Sequence, residues 1–235
     1  MHFLLTNDDG IHAPGLAALE RAIRLLPGAT VTVFAPATEQ SQCGHRVTTR
    51  EPFSVTQLTE HRFSVEGTPA DCVRVALYAF AIRPDFVVSG VNTGGNMGQD
   101  LPISGTVAAA REAAFHGLPA AAFSHYLIKG LAPDWPRVAE WTRHVLAELI
   151  ALPVGDGEFW NVNYPHLPPG QIEMPVRVMC HPCAAPLNVS YETTRLGPAV
   201  TSHRYTASYA SRPVEKDSDV AVCFDGRIAV SRLRI

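Results

Sequence analysis

A short apolar run, His2-Phe-Leu-Leu-Thr6, stops at Asn7-Asp8-Asp9-Gly10, and Pro14 then opens a stretch whose apolar residues Leu16, Leu19, Ile23 and Leu26 recur at helical spacing. Thr30-Val-Thr-Val-Phe34 follows as a second apolar, β-branched run. Strand, loop, helix and strand in this order form a βαβ unit, and the crossover forces the two strands to run parallel. The alternation continues. Helical patterns over 70–80, 106–116 and 135–152 separate strand patterns at Asp85–Ser89, ended by Gly90, at Pro119–Ser124 and at Phe159–Asn163. An α/β fold with a doubly wound, mostly parallel Rossmann-like sheet is therefore expected.

After about Gly155 the texture changes to short β-leaning segments broken by Pro and Gly. Tyr191–Thr194 and His203–Tyr209 suit a projecting β-hairpin. Asp219–Cys223 and Arg227–Ser231, joined by Asp225-Gly226, read as a second hairpin, because Asp-Gly suits a tight primed turn. The whole chain, 1–235, reads as one domain, with a core over about 1–180 and a β-rich C-terminal arm over about 181–235.

Composition excludes several classes. With 46% hydrophobic and 17% charged residues the chain buries a substantial core and is not disordered. Its apolar runs are far shorter than the ~20 residues of a spanning helix, and no signal-like start is present, so a soluble cytoplasmic protein without a membrane partner is expected. A formal charge of −3 argues against a nucleic-acid polymer as partner. Five cysteines are an odd number and too few for a stapled scaffold, which suits reduced thiols. Cys72 and Cys223 read as core residues, and Cys180-His-Pro-Cys183 lacks the second pair that a zinc site needs.

Three loops carry the candidate chemistry, all expected on the rim where open α/β sheets place ligands. Asp8 and Asp9 are adjacent carboxylates that repel unless a cation or donor lies between them, and Mg²⁺ characteristically takes one or two carboxylates; the alternative is a polar turn capping the helix. Ser89-Gly-Val-Asn-Thr-Gly-Gly-Asn-Met-Gly98 permits close backbone approach and offers the Asn92 and Asn96 amides, but its spacing is not that of a dinucleotide fingerprint. Ser104-Gly105-Thr106 opens a helix whose free N–H groups suit an anion, or simply an N-cap. The loop after the second strand adds Ser41, His45 and Arg46, and His12 is either a turn residue or a substrate contact.

Leu4-Leu-Thr-Asn-Asp-Asp-Gly-Ile-His-Ala-Pro-Gly15 resembles the N-terminal signature of the SurE survival proteins, which are metal-dependent 5′/3′-nucleotidases with broad phosphomonoesterase activity. Glu39-Gln-Ser41, Gly67-Thr-Pro-Ala-Asp-Cys72, Val88-Ser-Gly-Val-Asn92 and Ser104-Gly-Thr-Val-Ala-Ala-Ala-Arg-Glu112 continue the resemblance in order, and Asn161-Val-Asn163 extends it weakly. It implies a three-layer α/β/α fold with a projecting hairpin, and oligomers, homodimeric or homotetrameric, that exchange C-terminal segments. It also implies one divalent cation, Mg²⁺ or Mn²⁺, on Asp8, Asp9, Ser41 and Asn92, with Asn96, Ser104, Gly105 and Thr106 lining a phosphate pocket. The chain departs from the family's usual pattern at Ala37-Thr38, Gln42-Cys43-Gly44, Arg46 and Pro102-Ile103, and it ends soon after the last strand pattern, where many members continue into a helix.

The resulting expectation is hydrolysis of a nucleoside monophosphate at a single-metal site, with Asp8 as general base and Asp9 holding the metal. Direct attack by Asp8 is the lower-ranked mechanism, since the Asp-x-Asp spacing of aspartyl-phosphate enzymes is absent. A metal-dependent nucleotide- or phosphate-binding module without turnover is the alternative function. A dinucleotide-dependent oxidoreductase lacks its glycine turn after the first strand.

Overall fold

In a computed structural model, which describes residues 1–170 and 173–235, nine strands form one twisted sheet. In chain order the elements are β1 (His2–Thr6), α1 (Pro14–Arg24), β2 (Thr30–Pro36), β3 (Val55–Thr59), β4 (Arg62–Val65), α2 (Pro69–Arg74, prolonged by a wider turn over Val75–Ala79) and β5 (Phe86–Thr93). They continue through α3 (Gly105–Phe115), β6 (Ala120–His125), α4 (Trp135–Ala151), β7 (Glu158–Tyr164), β8 (Arg177–Met179), β9 (Tyr191–Arg195), β10 (Thr201–Tyr205), α5 (Asp219–Phe224) and β11 (Ile228–Arg234). The sheet order is β3-β4-β2-β1-β5-β6-β7-β11-β8; β4 through β7 run parallel in that order, and β3 and β11 are antiparallel to their neighbours β4 and β7.

Side-chain alternation along the central strands explains the three layers. Phe3, Leu5, Val31, Val33, Phe86 and Val88 pack under α1 and α4, whereas Leu4, Phe34, Val87, Ala120 and Ala122 pack under α2 and α3. Strands buried on both faces need near-continuous apolar sequence, which is why these runs were legible as strands. The helix starts are fixed locally. Pro14 opens α1, where a missing N–H costs nothing, the Ser104 hydroxyl accepts from Val107 N–H at α3, and Asp134 accepts from Arg137 N–H at α4.

Two expectations fail. Asp219–Cys223 is not a strand but the first turns of α5, so the second hairpin does not exist. Ser218 caps that helix by accepting from Ala221 N–H, while the buried Asp219 carboxylate accepts from the N–H groups of Gly98, Cys183 and Val220, each at 2.8 Å. These bonds outweigh the β-leaning composition of Val220, Val222 and Cys223. β11 then joins the main sheet between β7 and β8. The first hairpin does form, as β9 and β10, a separate antiparallel pair with every residue exposed.

β5 does not end at Gly90 but runs on to Thr93, with a register shift against β6 between Ser89 and Asn92. At Gly90 the backbone has φ +130°, and a Cβ there would lie 2.2 Å from the Phe123 carbonyl oxygen, so the bulge requires glycine. The strands β3 and β4 carry no apolar alternation strong enough to announce them; β3 is an edge strand with four of its five residues exposed. Cys72, Cys183 and Cys223 are buried, Cys180 half-buried, and all five cysteines are free thiols. Among the described residues no helix is long and apolar enough to cross a membrane.

Candidate metal and phosphate site

Strand order reverses around β1, with β2 on one side and β5 on the other, and the carboxyl ends of these three strands face one cavity of about 260 Å³. Asp8 and Asp9 reach it from the end of β1, Ser41 from the loop after β2, Asn92 from the bulged end of β5, Asn96 from the loop that follows and Ser104 from the cap of α3. Gly105 and Thr106 stand behind this lining rather than in it, both fully enclosed.

The Thr106 hydroxyl donates to Asp8 Oδ1 at 2.5 Å, so its side chain holds the carboxylate. Gly105 allows the same contact, because a Cβ there would come within 2.9 Å of both Asp8 Cβ and Cys43 Sγ. The start of α3 is thus pressed against Asp8. The loop carrying Asp8 is closed by Asn7, fully buried, whose Nδ2 donates to the Gly10 carbonyl at 2.8 Å.

Asp8 is only 6% exposed, and burial pushes its carboxyl up to about 6; the neighbouring Asp9 charge adds to the rise, and the Thr106 hydrogen bond opposes it. Asp9 is also raised, by burial first and by Glu39 second, against the 2.9 Å bond that Thr93 N–H donates to its Oδ2. Two carboxyl groups raised by desolvation and by acidic neighbours mark a place short of positive charge.

The donor set fits a hard cation. The Thr106 hydroxyl and Thr93 N–H engage Asp8 Oδ1 and Asp9 Oδ2, leaving each carboxylate a second oxygen for a cation. Asn92 donates its Nδ2 to the Gly94 carbonyl at 2.9 Å, which leaves its amide oxygen as the ligating end. Ser41, exposed, donates to Glu39 Oε1 at 2.5 Å and retains its lone pairs. Among the described residues no group of three or more His, Cys, Asp and Glu is arranged to hold a metal ion by itself, so soft or imidazole-rich metal sites find no support, while two carboxylates with neutral oxygens suit Mg²⁺ or Mn²⁺.

Several residues at the site were not identified from sequence. Asp100 and Tyr209 line the cavity, and the Tyr209 hydroxyl donates to Asp100 Oδ2 at 2.8 Å. Arg212, 8% exposed, clasps both Asp100 oxygens at 2.7 Å and lies 4.1 Å over the Tyr209 ring. The segment after β10 is thereby fastened to the loop that carries Asn96. No local pattern around Tyr209 signals this, since it was read as the end of the hairpin strand. His45, expected as a loop residue that could meet phosphate, instead donates at 2.6 Å to the fully buried Glu112, which also accepts from Arg74 at 2.5 Å and from His116 at 2.8 Å. His12 is exposed and not part of the cavity lining.

Comparison with known proteins places the chain in a family. The sequence model of the family described as survival protein SurE matches residues 3–183. A putative 5′-nucleotidase of Nostoc sp. is 45% identical over the whole of both chains. The 5′-nucleotidase SurE of Geobacter sulfurreducens is 44% identical over 75% of this chain and 66% of its own length, and that of Caulobacter vibrioides is 36% identical over 100% and 90%. The crystal structure of the SurE protein from Aquifex aeolicus superposes with a TM-score of 0.86 at 27% identity, covering 100% of this chain and 93% of that one. On the family match, the full-length relatives and the shared fold, this chain belongs to the SurE family.

Proposed function

We propose that this protein hydrolyses phosphate monoesters, nucleoside 5′- or 3′-monophosphates foremost, to nucleoside and inorganic phosphate, with one Mg²⁺ or Mn²⁺ per chain. The observation that carries the reading is the convergence of Asp8, Asp9, Ser41 and Asn92, all oxygen donors, with Asn96 and Ser104 in one cavity at the switch point of the sheet. The relatives named as 5′-nucleotidases, one of them matched over its full length, favour turnover over a binding module without it.

A divalent cation held by Asp8, Asp9, Ser41 and Asn92 would supply Lewis-acid polarisation of a phosphoryl oxygen. The chain's own groups do the rest. Asp8, with Oδ1 held by the Thr106 hydroxyl, is placed to take the proton of the attacking water. Asp9, oriented by Thr93 N–H, would help to hold the cation beside Asp8. Ser104 and Asn96 face the phosphoryl group, and Gly105 and Thr106 bring the positive end of α3 up behind Asp8. The exposed apolar residues of the hairpin and its flanks, Tyr191, Leu196, Val200 and Tyr205, suit contact with a second copy in a homodimer or homotetramer.

The test is phosphate release from a panel of nucleoside monophosphates with Mn²⁺ or Mg²⁺, alongside a chelator and Asp8→Asn. Turnover lost in both controls is expected. Metal-dependent nucleotide binding with no release across the panel would overturn hydrolysis in favour of the binding module.

A further inference from the structure

Asn96 sits on a floor of buried polar side chains from β6 and β7. Its N–H donates to Asn163 Oδ1 at 2.8 Å, and its carbonyl accepts from Asn163 Nδ2 at 2.9 Å and Asn161 Nδ2 at 3.0 Å. Its side-chain amide meets Ser124 Oγ at 2.8 Å. Ser124 and Asn161 are fully buried and Asn163 is 1% exposed; Ser124 and Asn163 are register partners across β6 and β7. Polar side chains inside central strands are costly unless satisfied, and here all three are directed at one loop residue whose backbone has no ladder of its own.

The orientation of the Asn96 amide decides what it offers the cavity. With Nδ2 donating to Ser124, the serine hydroxyl hydrogen finds no acceptor among the described residues. An amide oxygen would then face a cavity already lined by Asp8, Asp9, Glu39 and Asp100. Turning the amide by 180° exchanges two atoms of nearly equal size and cures both faults. Ser124 Oγ–H then donates to Asn96 Oδ1, and the Asn96 NH₂ group faces the cavity. We propose that Ser124, supported by Asn161 and Asn163, is a positioning residue that fixes Asn96 with its amide hydrogens toward the phosphoryl oxygens. The inference rests on the phosphomonoesterase reading of this cavity. Its consequence is a donor aligned before substrate arrives, the condition under which such donors contribute most to the transition state.

The experiment is a double-mutant cycle on Ser124→Ala and Asn96→Ala in the Mn²⁺-loaded protein. It reads kcat and KM for a nucleoside monophosphate and, separately, the Kd of inorganic phosphate by calorimetry. Asn96→Ala is expected to lower kcat about 100-fold and Ser124→Ala about 10-fold. In the Asn96→Ala background the serine substitution should change kcat and phosphate Kd less than about 2-fold, because the serine acts only through the amide. Ser124→Thr, which keeps the hydroxyl, should recover most of the loss. Ser124→Cys, near-isosteric but a weak donor, should not, and it serves if the alanine variant fails to fold. Losses that multiply, or a Ser124→Ala enzyme with unchanged kcat and phosphate Kd, would overturn the proposal. If the wild-type protein releases no phosphate, the functional reading fails while the cycle on phosphate Kd still decides this one. A wild-type protein that binds no phosphate refutes the positioning role as well.

Discussion

Asp8→Asn should make the metal-free protein more stable while abolishing turnover. Burial lifts the Asp8 carboxyl from an ordinary 3.8 to about 6, roughly two pH units, and at 1.36 kcal/mol per unit the ionised group costs the folded state about 3 kcal/mol at neutral pH. Asparagine has the shape of the protonated acid, keeps an acceptor for Thr106 Oγ1 and carries no charge beside Asp9. For a chain of this size about 3 kcal/mol corresponds to a Tm higher by roughly 6–12 °C in the presence of chelator. The sign with pH follows from a raised folded-state value: the stability is fully present below pH 3.8 and is lost as pH rises through about 6. The gap between variant and wild type should therefore be widest above pH 6.5 and close by pH 4. Adding Mn²⁺ should reverse the order, because the cation stabilises only a site that keeps its charge. Scanning calorimetry of both proteins at several pH values, with chelator and with Mn²⁺, reads all of this. A variant no more stable than wild type in chelator at pH 7.5, or a gap that does not shrink on acidification, refutes the reasoning.

Gly105→Ala should cut phosphate release at least 10-fold with little loss of secondary structure, since its Cβ would meet Asp8 Cβ and Cys43 Sγ at 2.9 Å and displace the base; kinetics with circular dichroism checks it. Glu112→Ala should destabilise by about 3 kcal/mol in urea denaturation, because Arg74, His45 and His116 lose the buried carboxylate they share. Burial alone would raise that carboxyl, but the hydrogen bonds from His45, Arg74 and His116 outweigh it and hold it at about 2. Its stabilisation is therefore present above pH 4.5 and lost as pH falls toward 2, and an acid titration of Glu112→Gln should lack that loss. Arg212→Ala should speed proteolysis of the segment from 184 to 213, since Asp100 loses its clasp on both oxygens; cleavage at the wild-type rate would show that the ion pair does not hold the arm.

The N-terminal βαβ unit was legible because three signals agree there: a continuous apolar strand, Pro14 at a helix start and apolar residues at helical spacing. α5 was misread because Val220, Val222 and Cys223 alternate like a strand, and only the capping bonds of Ser218 and Asp219, one of them to Gly98, tip the segment into a helix. A bond across that separation leaves no local trace. The metal-suited residues were legible from the resemblance, and the structure brings Asp8, Asp9, Ser41 and Asn92 to one cavity. Thr106 was placed by its position at the helix start, but the direction of its hydroxyl depends on how closely α3 approaches β1, which Gly105 sets. Tyr209, Arg212 and Ser124 were invisible for the opposite reason, acquiring a role only from their neighbours in space, and Asn161 and Asn163 showed only as a weak continuation of the resemblance, with nothing local to say which loop they hold.

The cavity's walls come from chain positions as far apart as Asp8 and Tyr209. The oxygen donors come from the first half of the chain, but the cavity is closed only when Tyr209 and Arg212 return to Asp100 across a large loop, so closing that wall carries an entropic cost of its own. Ligand that reaches across the cavity to this wall therefore couples the C-terminal return to the sheet's carboxyl ends.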